Sequence, residues 1–402
     1  MIICAVPGHC SNNKGMYRVK WLVIIGLLLR CSLLQAHHQD AHSFANIHQV
    51  STHHLRIVLT VDFTRHQLSG YVEHWLQRLD PAANKLVLDT KGLRISKVEI
   101  STDGEHWQAS QYLLGLANPL LGQPLNIRLK ADTLRVRVHY QTGPDAVGLQ
   151  WLGANQTTEK KHPFLYTQSQ SIHARSWLPL QDTPAIRQTF DATITTPAQI
   201  IAVMSADNSR TDKTSGVHQF AMPQPIPSSL IALAAGDLHF KAMSANTGVY
   251  AEQSYLDKAA VEFADINLMM ATANRLYGDY PWYRYDLVVL PASYPYGGME
   301  NPRLAFVTPT IITGDKSLIG LVAHQLAHSW SGNLVNQGHW DHVWLNEGFT
   351  NYVEQRIMQE VYGPKRAALE LQLYLQQLEQ ALVTLPQTDQ SLLADYSQRH
   401  PD

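Results

Sequence analysis

The spacing of apolar residues changes once along this chain, near residue 240, and that change divides it. Before it, apolar residues come at every second position: Leu55, Ile57, Leu59, Val61 and Phe63, then Leu134, Val136, Val138 and Tyr140, then Phe190, Ala192 and Ile194. Successive side chains of a strand point to opposite faces, so this alternation predicts half-buried strands of an antiparallel sheet. Asp103-Gly104 suits a hairpin turn, and Pro223, Pro225 and Pro227 punctuate the end of the region. An all-β domain is expected over residues 45–243. Beyond it the period is helical. Ala260, Phe263, Ile266, Met270 and Ala273 share one side of a segment from Tyr255 to Tyr277. Leu287 to Leu290 predicts a short buried strand, and a last helix is expected from about Lys365 to Leu385, stopped by Pro386. Residues 244–402 are therefore expected to form a helix-rich unit, and the whole chain a multidomain α+β protein.

Within the helical part, His324-Gln325-Leu326-Ala327-His328 places two imidazoles four residues apart, on one face of a helix. Asp315 or Ser317 can cap this helix, the apolar run Leu318, Ile319, Leu321, Val322 follows, and Gly332 marks its end. A second helical pattern starts near Asn346 and stops at Gly363-Pro364, with Glu347 in its first turn. Two histidines and a glutamate around an open fourth position form a catalytic zinc site; a closed structural site would use four protein ligands, usually with cysteine. In a chain with 20 histidines, two at this spacing also arise by chance as a surface or core pair. Glu347 within Trp344-Leu345-Asn346-Glu347-Gly348, and Gly297-Gly298-Met299-Glu300-Asn301 upstream, favour the metal reading. The usual motif is H-E-x-x-H, its glutamate being the general base. Here that position is Gln325, a carboxamide that cannot take up a proton at neutral pH.

The run from Tyr285 to Gly363 resembles the gluzincin zinc aminopeptidases of the aminopeptidase N superfamily, most closely the leukotriene hydrolase and aminopeptidase B branch. The resemblance rests on Tyr285-Asp286-Leu287, Pro295-Tyr296-Gly297-Gly298-Met299-Glu300-Asn301-Pro302, Phe306-Val307-Thr308-Pro309-Thr310, the histidine pair, Trp340-Asp341-His342 and Leu345-Asn346-Glu347-Gly348. It extends upstream through Thr167-Gln168-Ser169-Gln170-Ser171-Ile172-His173 and Gln181-Asp182-Thr183-Pro184. It implies a saddle-like N-terminal β domain, a partial thermolysin-like zinc domain, and the absence here of the family's C-terminal helical domain. It implies one zinc ion on His324, His328 and Glu347; each histidine's second nitrogen then needs an oxygen partner, for which Asn351 and Glu354, on the helix that carries Glu347, are candidates. Glu300 would pair with the free α-amine of a peptide, with Gln170 as a second contact. Gly297, Gly298 and Met299 would border the peptide as a strand edge. The family's oxyanion-stabilising tyrosine is expected beyond Asp402, since Tyr396 falls too early for it. The implied activity is removal of N-terminal residues from peptides, weak or absent here because Gln325 replaces the general base, whose loss typically costs about 10²- to 10⁴-fold in rate, and because the chain ends before that tyrosine. The alternatives are a non-catalytic zinc- and peptide-binding protein and an epoxide-opening hydrolase.

Net charge is −2, which gives no electrostatic case for nucleic acid. Residues 1–36 differ from the rest. Basic residues from Met16, a short apolar run from Trp21 to Leu29 and the small Ala36 resemble a secretory signal, too short to span a bilayer. Export to a periplasmic or extracellular space is expected, or a cytoplasmic protein if the segment is not a signal. All three cysteines (Cys4, Cys10, Cys31) lie in this segment, so no disulfide is expected in the folded part. Residues 37–44 are expected to be a linker, and the histidines at 37, 38, 42, 48, 53 and 54 a solvated cluster.

Overall fold

The alternating segments do form strands. In the computed structural model, residues 40–210, 214–392 and 395–401 are described, so the signal-like segment and the three cysteines lie outside the described residues. Strand Val50–Asp62 buries Leu55, Ile57, Leu59 and Val61, and strand Arg187–Thr195 buries Phe190, Ala192 and Ile194. Strand Arg135–Gln141 buries Val136, Val138 and Tyr140; Leu134, one residue before it, is exposed instead. These belong to an eight-stranded sheet. The turn containing Gly104, at φ +84°, joins its strands Arg94–Ser101 and Gln108–Ala109, and Asp103 Oδ1 accepts the N–H groups of Glu105 and His106.

Three expectations need correction. The large sheet is not wholly antiparallel: Val50–Asp62 pairs in parallel with Arg187–Thr195, in register Leu59 to Ile194. No tight turn links those strands, and the long intervening chain, which forms other strands, permits the parallel crossing. Residues 41–46 are not a solvated linker. Ser43 donates to Asp89 Oδ2, the Phe44 N–H donates to Asp89 Oδ1, and His42, Ser43 and Ala45 are buried. A buried carboxylate needs donors, and this segment supplies them. Nor do the nearby histidines form one cluster: His54 hydrogen-bonds Thr189 and Asp191 on the next strand.

The rest of the molecule is built around a five-stranded sheet. Thr247–Ala251, Tyr285–Val289 and Leu304–Val307 run parallel, with His239–Ala242 on one edge and the two-residue strand Gly298–Met299 on the other. The central strand, buried along its whole length, is a continuous apolar run apart from Asp286, as parallel strands covered on both faces require. Two core clusters cover this sheet. One joins it to the β-rich part through Val288, Leu290, Leu304 and Phe306; the other packs it under helices through Leu287, Val289, Ala305 and Val307.

Five α-helices are present among the described residues: α1 (Gln253–Glu262), α2 (Ile266–Tyr277), α3 (Gly320–Ala327), α4 (Val343–Tyr362) and α5 (Pro364–Thr384). The expected single helix from Tyr255 to Tyr277 is broken at Phe263, whose backbone leaves helical geometry. The break leaves Glu262 at the end of α1, where it is buried and accepts the N–H groups of Gly314 and Lys316 and the hydroxyl of Thr313. Those bonds anchor the loop leading into α3. Asp315 does not cap α3; it accepts from Ser317 N and Thr313 within that loop, and Ile319 at the N-cap contributes no side-chain bond. Gly363, at φ +86°, separates α4 from α5, and Pro364 opens the latter, where its missing N–H costs nothing. None of the described helices is long and apolar enough to cross a membrane.

Candidate metal centre

Packing, not propensity, positions the histidine helix. Val322, Ala323, Leu326 and Ala327 are fully buried, and the Trp282 indole N–H donates to the Ser329 carbonyl just past the C-terminus of α3 at 2.9 Å. With that face fixed, His324 and His328 turn toward α4. Glu347, Thr350 and Glu354, spaced i, i+3 and i+7, answer from one face of that helix.

The hydrogen bonds set both tautomers. His324 Nδ1 lies 3.0 Å from Glu354 Oε2, and His328 Nδ1 lies 3.1 Å from the Ser331 carbonyl. Thr350 donates its hydroxyl proton to the same carbonyl at 2.9 Å, so its oxygen is also an acceptor for His328 Nδ1, at 3.1 Å. Each Nδ1 faces acceptors and therefore carries the proton; each Nε2 keeps its lone pair. The two Nε2 atoms nevertheless lie only 3.0 Å apart, with Glu347 Oε2 at 3.5 Å from one and 3.7 Å from the other. Lone pairs and a carboxylate pointed at one spot repel unless a cation lies among them. Tetrahedral zinc with bonds of about 2.0–2.1 Å sets its ligand atoms about 3.3 Å apart, which these separations bracket. The donor set thus fits the ion. Among the described residues these three form the one group of His, Cys, Asp or Glu side chains close enough to share a metal. With no metal bound, a proton on His324 takes the cation's place: burial opposes charge there, but Glu347 and Glu354 outweigh it and push the imidazole up to about 10.

The three ligands open onto a cavity of about 290 Å³ lined also by Gln168, Gln170, Tyr296, Gly298, Met299, Glu300 and Gln325. Of the residues expected to contact a peptide, Gln170, Gly298, Met299 and Glu300 are brought together here. Gly297 is not among the lining residues; a Cβ there would meet Leu321 of α3 at 3.0 Å. Gly298 and Met299 form the sheet-edge strand, and a Cβ on Gly298 would sit 2.8 Å from the Gln325 carboxamide, so only glycine lets this edge approach α3 so closely. Glu300 is buried, and Asn333 holds its backbone carbonyl at 2.7 Å. Oε1 of Glu300, of Gln168 and of Gln325 each accepts no hydrogen bond from the protein. Three buried acceptors without donors suit a ligand rich in N–H groups. Sequence reasoning did not single out Thr350 or Gln168 for these positions. Thr350 was detectable as the residue one turn past Glu347 on the same helical face. Asn351, one of two suggested histidine partners, is exposed and borders a groove between α4 and α5; Glu354 alone takes that role.

A β-rich part followed by a helical unit carrying this His-His-Glu set defines a zinc metallopeptidase. Residues 50–230 match the peptidase M1 N-terminal domain and residues 261–394 the peptidase family M1 domain. The chain belongs to peptidase family M1, in its leukotriene A4 hydrolase and leucine aminopeptidase 2 branch, and His324, His328 and Glu347 are that family's zinc site. It is 38% identical to the leukotriene A-4 hydrolase of Xenopus laevis over 334 residues, covering 81% of this chain and 54% of that protein. Identity to leucine aminopeptidase 2 of Yarrowia lipolytica is also 38%, over 82% of this chain and 50% of the relative. The solved structure of yeast LTA4 hydrolase in complex with bestatin superposes with a TM-score of 0.84 at 32% identity, over 90% of this chain and 57% of the other. The chain thus spans about half the length of the relatives it matches.

Proposed function

We propose that this chain carries an aminopeptidase-type site that binds peptides by their free N-terminus and turns them over slowly. The observation that carries the reading is the cavity itself, lined by the zinc-ligand set together with Glu300 and Gln168, each of which has a buried acceptor oxygen without a protein donor. An α-ammonium group offers three N–H donors and a positive charge, and the Glu300 carboxylate answers both. Gln170 lines the same cavity and adds a polar contact for that amine. The edge strand at Gly298–Met299 leaves backbone groups to pair with an extended peptide. Zinc, when bound, supplies Lewis acidity toward a peptide carbonyl and a water molecule. The chain's own residues determine what becomes of the proton. Gln325 occupies the place from which a carboxylate would accept it and pass it to the leaving amine, and a carboxamide does neither.

The test is Gln325→Glu, assayed with aminoacyl-naphthylamides. Restoring the base raises turnover by about 10²-fold or more, with zinc content unchanged. An unchanged rate in a zinc-loaded variant refutes the assignment of Gln325 to the proton-transfer position. Retention without cleavage is supported by the same side chain, which lines the cavity and whose buried Oε1 is an acceptor without a protein donor rather than a base. On that reading the unaltered protein holds a dipeptide with a free amine and fails to hold its N-acetylated form. Equal binding of the two in a calorimetric titration removes the Glu300 assignment. We further propose export, which the apolar run from Trp21 to Leu29 supports; recovery of the intact chain from the cytoplasm alone would end that part.

A further inference from the structure

The Glu354 carboxylate is fully buried, and only one of its oxygens serves His324. The other, Oε1, receives the Tyr374 hydroxyl at 2.7 Å, from the neighbouring helix α5. A relay therefore runs from Tyr374 through Glu354 to His324 Nδ1, and from the far side of that imidazole to the metal position. We propose that Tyr374 is a positioning residue for zinc: it locks the Glu354 carboxylate so that His324 presents Nε2 to the ion.

The chemistry requires such a donor. A carboxylate with no access to water must have its lone pairs satisfied, or it becomes costly to keep charged. With Tyr374 on Oε1, the Glu354 carboxylate is held in one orientation, and Oε2 stays aimed at the His324 N–H. Without that hydroxyl, the carboxylate is free to rotate about its last bond, which weakens its hold on the imidazole. Around it, Glu370 Oε1 accepts from Arg366 at 2.7 Å and its buried Oε2 has no hydrogen-bond partner, so Glu370 makes no bond to Glu354. Residue identity at 374 matters more than the packing of α5, whose one buried residue is Ala367. No local sequence pattern marks Tyr374, because it lies 20 residues beyond Glu354 and on a different helix.

This inference rests on the zinc site described above, and the experiment separates the two. Zinc affinity is measured by chelator competition for the unaltered chain, Tyr374→Phe, Glu354→Gln and the double variant, and the cobalt-substituted forms are compared by visible spectroscopy. Groups that orient metal-bound histidines are typically worth about 10- to 100-fold in affinity. Acting one bond further away, loss of the Tyr374 hydroxyl weakens zinc binding by about 10-fold and shifts the cobalt spectrum. In the Glu354→Gln background the same substitution changes nothing further, because the relay is already cut. Unchanged zinc affinity in Tyr374→Phe, or an equal loss in both backgrounds, overturns the proposal and leaves Tyr374 as packing. Failure of the unaltered chain to hold stoichiometric zinc instead refutes the site itself. Should Tyr374→Phe not fold, Tyr374→His, which keeps a ring N–H donor, provides the comparison: affinity near that of the unaltered chain supports the relay, and a loss as large as that of Glu354→Gln overturns it.

Discussion

Gly332→Ala places a methyl group where the metal helix has no room for one. Gly332 follows α3 with φ +108°, and a Cβ built there would overlap Asn346 Oδ1 and lie 2.9 Å from His328 Nδ1. Two costs add. The backbone conformation alone costs an alanine about 1–2 kcal/mol, and relieving a clash in a packed interior costs about 1–3 kcal/mol more, for a total of about 2–5 kcal/mol. Gly363 supplies the control. It has φ +86° at the junction of α4 and α5, but a Cβ there would meet nothing within 4 Å, so Gly363→Ala pays the backbone cost only. Urea denaturation of the two variants, metal-free, should differ by the clash. The second readout is specific to the site. The new methyl presses on the Nδ1 edge of His328, which the Ser331 carbonyl and Thr350 hold in place. Displacing that imidazole weakens zinc binding by about 10-fold or more, whereas Gly363→Ala leaves it unchanged. Equal destabilisation and equal zinc affinity in the two variants would refute the claim that close approach, and not backbone freedom alone, requires glycine at 332.

Further outcomes follow from other contacts. Zinc held at about a thousand times its dissociation constant stabilises the folded chain by about 4 kcal/mol; chelation lowers the urea midpoint accordingly, and His328→Ala removes the difference between loaded and chelated samples. Arg175 is fully buried and donates to Asp182, to the His42 carbonyl and to the Leu121 carbonyl; Arg175→Met strands the Asp182 carboxylate and costs about 3–5 kcal/mol in denaturant melts. His74 is fully buried, and desolvation lowers its imidazole from 6.5 to about 3. Its folded pKa is thus the depressed one, so its stability contribution is intact above 6.5 and is lost as pH falls toward 3, because the unfolded chain binds the proton first. Between pH 7.5 and about pH 5 this removes about 2 kcal/mol. His74→Leu flattens that part of the pH–stability curve, and an unaltered slope contradicts the assignment.

How much of this was legible in the sequence depended on distance along the chain. The histidine pair is a four-residue pattern on a single helix, and helical periodicity alone places both rings on one side. Glu347 was legible because it falls in the first turn of the next helix, a placement read from caps and period. The strand assignments held where alternation was strict, as in Leu55 to Val61 and Phe190 to Ile194. They failed at Leu134, which continues the alternation but lies before its strand and is exposed. The helix from Tyr255 to Tyr277 keeps its apolar period across Phe263, so nothing in the pattern betrays the break; Glu262 gives it a purpose only once the loop before α3 is folded against it.

The local order of residues, then, was enough to determine the change from strands to helices, the metal ligands, and the carboxamide of Gln325 beside the first of them. Folding alone decided which atoms face one another. Glu300 and Gln168, far apart in the chain, line one cavity because the sheet edge at Gly298 lies against α3. Thr350, Glu354 and Tyr374 govern the two imidazoles because α4 and α5 pack beside that helix. Periodicity reports which face of an element is buried, whereas the partner of a buried polar atom is set by contacts between elements, which no short stretch of sequence encodes.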